Sequence, residues 1–221
     1  MNRSFKTFFA AGQLPSYQAG TFRYRYRGVP CLKSPIDIAI YLSLIHEAKP
    51  RTIVEIGSKH GGSALMFRDF MELAGAEGNV VSIDLQRPDL SVPGVRFIEG
   101  DILRLTEVFR DDFLDELPRP WLVVEDSAHT FEACTSALGF FAGRLMPGEW
   151  LTIEDGVLDE LGLDSKYDGG PNRAISQFFQ RYPDAYSVSA RHCDMFGANA
   201  TYNPNGYLQR TAAPFREAGD A

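Results

Sequence analysis

Cysteine is scarce in this chain of 221 residues: Cys31, Cys134 and Cys193 stand far apart, and no CxxC spacing occurs. An odd, dispersed set argues against a disulfide framework, and buried, reduced thiols are expected. Basic residues are outnumbered, 22 Lys and Arg against 29 Asp and Glu, so the basic stripe that a nucleic-acid surface needs is not available. Long apolar runs are missing as well. No stretch approaches the length of a membrane span, and the FFAAG run near the N-terminus is too short for the core of a signal peptide. A cytoplasmic, soluble protein with no integral membrane segment and no nucleic-acid partner is expected. Repeats and low-complexity linkers are also absent. What remains is ordinary globular composition, 44% hydrophobic and 23% charged, enough for one α/β domain with a substantial core.

The pattern along the chain is strand, turn, helix. SPIDIAIYLSLIHEAKP (34–50) opens with Ser34 and Pro35, an N-cap and first-turn pair, and Pro50 ends it. TIVEIG is a β-branched run of the buried-strand type, and a Gly-containing turn leads from it into SALMFRDFMELAG, a helical pattern closed by Gly75. NVVSIDL and VRFIEGDI read as strands and TEVFRDDFLDEL as a helix. WLVVED, TFEACTSALGFFAGRL and EWLTIED then give strand, helix, strand. GVLDELGLDSKYDGGPN is loop-like, RAISQFFQRYP is a short amphipathic helix, and YSVSA with ATYNPNGYLQR forms a final antiparallel pair. The expected fold is a doubly wound, Rossmann-like α/β sheet of about seven strands, mostly parallel. The tail TAAPFREAGDA (211–221) is expected to be flexible.

Ligands of an open parallel sheet bind where its strands end. The first strand stops in EIGSKHGGSA. No Lys follows its last glycine, as a triphosphate loop would require, and Lys59 breaks the G-x-G-x-x-G of a dinucleotide site. S-adenosylmethionine needs a close turn and an anion for its ammonium, and Glu55 and Gly57 suit both demands, although a Gly-rich turn with no ligand is an alternative. Asp84 ends the second strand, where a carboxylate can accept both ribose hydroxyls or simply face solvent. Asp101, after the third, could reach an adenine amino group.

The next two strands end on Glu125-Asp126 and Glu154-Asp155. Four converging carboxylates would raise one another's pKa values, and a divalent cation such as Mg²⁺ removes that penalty. An acid at such a place also caps helices, as Asp126 could cap TFEACTS. His129, three residues past Asp126, is placed to accept a proton near neutral pH.

With EDSAHT, TIEDG and YNPNGYLQR in family order, the chain resembles class I S-adenosylmethionine-dependent methyltransferases of the cephalosporin hydroxylase/rhamnosyl O-methyltransferase family over about residues 25–210. The resemblance implies a metal held by Asp126, Glu154 and Asp155, with His129 as general base and Asp126 beside it in catalysis. It implies S-adenosylmethionine held around Glu55, Gly57, Ser63, Asp84 and Asp101. It further implies a methyltransferase domain over 25–210 behind a short N-terminal segment (1–24), an acceptor that is a sugar or other polyhydroxylated natural product, and a homo-oligomer. Tyr167, Asn203, Asn205 and Tyr207 are expected to shape the acceptor pocket. Two other readings of the same residues stand beside this one: a metal-dependent hydroxylase or hydrolase, and a non-catalytic adenosyl-binding module.

Overall fold

A computed structural model describes residues 3–10 and 12–218; the remaining residues of the expected N-terminal segment and tail lie outside the described ones. Helix α1 (Gln13–Thr21) and a short ribbon of β1 (Arg25–Tyr26) and β2 (Val29–Pro30) precede helix α2 (Pro35–Ala48). Ser34 caps α2, its hydroxyl accepting the Asp37 amide at 3.2 Å, with Pro35 in the first turn. The alternation then begins with β3 (Thr52–Ile56), α3 (Gly62–Leu73), β4 (Asn79–Asp84) and β5 (Val95–Glu99). The single helix expected at 106–117 is instead two short ones, α4 (Leu105–Val108) and α5 (Asp111–Asp115), because Phe109 leaves the helical region with ψ at 76°. Strand β6 (Trp121–Glu125), α6 (Phe131–Ala142), β7 (Trp150–Ile153), α7 (Gly170–Arg181), β8 (Tyr186–Val188), α8 (Ala190–Cys193) and β9 (Tyr207–Arg210) complete the chain.

Seven strands form one sheet in the order β5-β4-β3-β6-β7-β9-β8. The first five are parallel; β9 runs antiparallel to both β7 and β8. The expected mostly parallel sheet with an antiparallel final pair is therefore present. Strand alternation divides the core. Val54, Val123 and Leu151 face Leu138, Phe141, Ile175 and Phe178 on one side. Ile53, Leu122 and Val124 face Tyr41, Leu44, Phe67 and Phe70 on the other. Each fully buried side chain of this size contributes about 1.5–3 kcal/mol, and together they hold the strand ends rigidly in register.

Residues at both chain ends pack on this body. Arg3 pairs with Asp194 at 2.7 Å and donates to Asn205 at 2.8 Å. In the tail, Phe215 lies 4.6 Å from the Tyr182 ring, and Glu217 pairs with Arg181 at 2.5 Å. Among the described residues, no helix is long and apolar enough to cross a membrane.

Candidate active site

Chain direction reverses between β3 and β6. From β3 the chain moves outward through β4 and β5, then returns to start β6 on the other flank. The two strands stay paired to their carboxyl ends, and a cleft of about 850 Å³ opens beyond them. Gly57 follows the end of β3 with φ 110°, and a Cβ on it would stand 2.1 Å from the Asp126 carbonyl oxygen. No other residue fits so near the neighbouring backbone. Gly62, which starts α3, is packed similarly, 2.2 Å from the Pro30 carbonyl oxygen by the same measure. The first contact brings the turn after β3 against the loop after β6, and the second brings the start of α3 against β2.

Of the residues expected around the adenosyl cofactor, Gly57, Ser63, Asp84 and Asp101 line the cleft. Asp84 accepts the Lys59 amide at 2.7 Å, which ties the end of β4 to the turn after β3. Asp101 accepts the Leu103 amide at 2.9 Å and so caps a short 3₁₀ turn. Glu55 does not line the cleft. Strand alternation turns it beneath Ser63 and Ser82, fully buried, with one carboxylate oxygen lacking a partner among the described residues. Burial raises its pKa against the pull of Lys33 and the two serine hydroxyls.

The acids of the next two strand ends behave differently from one another. Glu125 is fully buried, and its Oε1 accepts from the Ser127 amide at 3.1 Å, so it turns into the protein and leaves the rim. Asp126 is not a helix cap: Thr130 performs that task for α6, accepting the Ala133 amide at 3.2 Å. Asp126 therefore stays free to face the cleft. His129 and Asp155 both hold left-handed backbone, at φ 54° and 60°, a conformation uncommon outside glycine and concentrated at functional sites. It brings His129 Nε2 to 3.5 Å from Asp155 Oδ2 and 3.9 Å from Asp126 Oδ1. Single ligand atoms of Asp126, His129 and Asp155 lie within 4.8 Å of one another, a spacing at which one ion could be held.

Glu154 is anchored from behind. The Lys33 ammonium stands 2.6 Å from its Oε1 and also contacts Asp126 Oδ2, and the Tyr41 hydroxyl donates to the same Oε1 at 2.5 Å. Both contacts fall on Oε1, so neither occupies Oε2. Burial pushes Glu154 well up, with Asp126 adding to the effect and Lys33 opposing it. Asp155 is pushed up to about 6, mainly by burial, with His129 opposing. His129 itself is raised: burial favours its neutral form, but Asp155, Asp126 and Glu125 outweigh it. Burial raises both Glu154 and Asp155 next to Asp126, so the ionised cluster is short of positive charge, and hard oxygen donors suit a divalent cation.

Three of the four expected acceptor-pocket residues lie elsewhere. Asn203, Asn205 and Tyr207 are buried, at 1% exposure or less, and do not line the cleft. They form a frame instead. Asp37, itself buried in α2, accepts from Tyr207 OH at 2.8 Å, Asn203 Nδ2 at 3.3 Å and the Tyr202 amide at 2.9 Å. Asn203 Oδ1 in turn accepts the Asp155 amide at 3.0 Å and fixes the turn that presents this acid. Tyr167 does line the cleft, edge-on to His129 with ring centroids 6.0 Å apart. Lys33 and Tyr41 were not among the expected residues. No local pattern marks a lone lysine ahead of a helix cap whose acidic partners lie 93 and 121 residues away.

Known proteins resemble this chain over most of its length. A family model described as Rhamnosyl O-methyltransferase/CmcI matches residues 18–211. The rhamnosyl O-methyltransferase of Mycobacterium leprae (strain TN) is 29% identical over 191 residues, covering 84% of this chain and 82% of that protein. The enzyme of the same description from Mycobacterium tuberculosis (strain ATCC 25618 / H37Rv) is 26% identical, covering 84% and 77%. Among solved structures, CmcI-D160 with Mg and SAM is 27% identical with a TM-score of 0.65, covering 86% of this chain and 78% of that one. MycE methyltransferase in complex with Mg and SAH is similar in fold, at 17% identity and a TM-score of 0.55, covering 90% and 54%.

Proposed function

The chain belongs to the rhamnosyl O-methyltransferase/CmcI family, and from that premise we propose which residues carry its chemistry and what they act on. It is an S-adenosylmethionine-dependent O-methyltransferase that uses Mg²⁺, and its acceptor is a hydroxyl of a sugar or another small polyhydroxylated natural product. One observation carries the assignment of residues: Asp126, His129 and Asp155 converge in the same cleft as the Gly57 turn.

The residues present fit both groups. Gly57 leaves room for close approach, Ser63 starts α3, and Asp84 at the end of β4 is placed to accept ribose hydroxyls. Asp101 lies further along the same wall, and Glu55 acts from behind Ser63. S-adenosylmethionine supplies the methyl group on a positive sulfur. Asp126 and Asp155, with Glu154 behind them, would hold a divalent ion, which would supply a field that favours an ionised acceptor hydroxyl.

His129 is the general base. Its Nδ1 is buried with no partner among the described residues, so Nε2, which faces the two acids, is the atom that exchanges a proton. Asp155 and Asp126 orient the ring and stabilise the imidazolium that forms. As His129 takes the hydroxyl proton, the acceptor oxygen bonds to the methyl carbon and the carbon–sulfur bond breaks, its electron pair staying on sulfur. Holding both reactants in one cleft replaces a bimolecular encounter. The acceptor side of the cleft is assigned to Gln18, Thr21 and Phe22 at the end of α1 and to Leu163, Lys166 and Tyr167, all of which line it.

The test is methyl transfer from isotopically labelled S-adenosylmethionine to a panel of deoxysugar-bearing acceptors, read by mass shift, with Mg²⁺ or with EDTA. A methylated product that requires Mg²⁺ supports the reading. Equal product in EDTA would remove the metal from it.

A further inference from the structure

Methyl transfer as read above makes no use of Lys33, although this is among the largest fully buried side chains of the described residues. Its side chain is 1% exposed, and its ammonium lies between two acids that come from different strands. It takes Oδ2 of Asp126 and Oε1 of Glu154. The oxygen of Asp126 nearest His129 is the other one, Oδ1. Lysine and cleft therefore engage opposite oxygens of the same carboxylate. Glu55 is a third acid that acts electrostatically on the same ammonium.

A buried lysine is expensive unless paired, and buried carboxylates without a counter-charge are equally so. Here each answers the other. The arrangement is still unbalanced, because one ammonium faces three acids, and this imbalance leaves room for a second cation.

We propose that Lys33 is a positioning residue: a resident counter-cation that holds Asp126 and Glu154 in place before a divalent ion arrives and, by sharing those carboxylates with the ion, weakens the ion's hold and keeps it exchangeable. The proposal rests on the metal reading given above. Its physical basis is the repulsion between an ammonium and a divalent ion a few ångströms apart in a site largely closed to water. A lysine that only filled space, or only shaped the site, would have the opposite effect when removed, since a misshapen site binds its ion less tightly.

Calorimetric titration of the full chain with Mn²⁺, alongside thermal melts in Mn²⁺ and in EDTA, tests this. Lys33→Met is expected to bind Mn²⁺ roughly 10-fold or more tightly than the parent, and Mn²⁺ is expected to raise its melting temperature by more. A variant that folds only with Mn²⁺ supports the proposal equally. A folded Lys33→Met with equal or weaker Mn²⁺ affinity overturns it. Failure of the parent to bind Mn²⁺ overturns the metal reading and this proposal together. If the variant folds under neither condition, the parent decides through its ¹⁵N-labelled lysines, five in all. Saturation with Mg²⁺ must then shift the Nζ resonance of the buried Lys33, and an unshifted resonance overturns the proposal.

Discussion

His129 Nε2 stands 3.5 Å from Asp155 Oδ2, although the two residues arrive from the ends of different strands and both hold left-handed backbone. The pair joins the loop after β6 to the loop after β7 in the cleft that Gly57 also lines. Replacing His129 by Ala removes the proposed proton acceptor and leaves the wall formed by Gly57, Asp84 and Asp101. Turnover is expected to fall about 10²–10⁴-fold. Calorimetric affinity for S-adenosylhomocysteine should be unchanged. Turnover equal to the parent's would show that another group takes the proton.

Gly57→Ala tests the contact just beyond the strand ends. The added methyl would meet the Asp126 carbonyl oxygen in a backbone conformation unfavourable to alanine. Denaturant unfolding should show a loss of at least about 1–3 kcal/mol, together with weaker S-adenosylhomocysteine binding. A variant as stable as the parent would mean that the two loops separate more easily than their packing indicates.

Asn203→Ala tests the buried frame behind Asp155. Its amide oxygen accepts the Asp155 amide, and its nitrogen serves Asp37 and the Tyr207 hydroxyl. Leaving those groups unsatisfied is expected to cost about 1–3 kcal/mol. Mn²⁺ affinity should weaken as the Asp155 turn loosens. An effect on acceptor KM alone, with stability and Mn²⁺ binding intact, would return Asn203 to the acceptor pocket.

His192 carries a pH prediction remote from the cleft. It is buried against Trp150, with Nδ1 2.7 Å from the Ser189 hydroxyl; Nε2 makes no hydrogen bond among the described residues and stands 3.7 Å from Glu47 Oε2. Burial lowers its pKa, in spite of Glu47. Below the unfolded value of about 6.5, the unfolded chain binds the proton that the folded chain resists, so stability falls as pH falls. Between about pH 7.5 and about pH 5.5 the melting temperature of His192→Gln should drop less than the parent's. Equal drops would show that His192 is protonated in the folded protein as readily as in the unfolded one.

Much of the candidate site was legible because it sits at strand ends. Val, Ile and Leu runs that stop abruptly at Gly57, Asp84, Asp126 and Asp155 announce both the strands and the edge where ligands collect, and a parallel sheet places all such ends on one side. Ser34 and Pro35 likewise mark the start of α2 by chemistry confined to a few neighbours. Reading failed where the same residue types serve either pocket or core. Asn203, Asn205 and Tyr207 are polar or aromatic and lie in a turn, yet their bonds run inward, to Asp37 in the case of Asn203 and Tyr207 and to Ser4 in the case of Asn205. Glu125 and Asp126 are adjacent and chemically alike, yet one turns into the protein and the other into the cleft.

Strand positions, the start of α2 and the acids that end each strand follow from local periodicity and turn chemistry, which act over a few residues. The pairing of Lys33 with Asp126 and Glu154, the bond from the Ser82 hydroxyl to buried Glu55, and the anchoring of the Asp155 turn by Asn203 join segments far apart in the chain. Such contacts exist only once the sheet has assembled and excluded water, because their strength comes from that exclusion and no neighbouring residue encodes it.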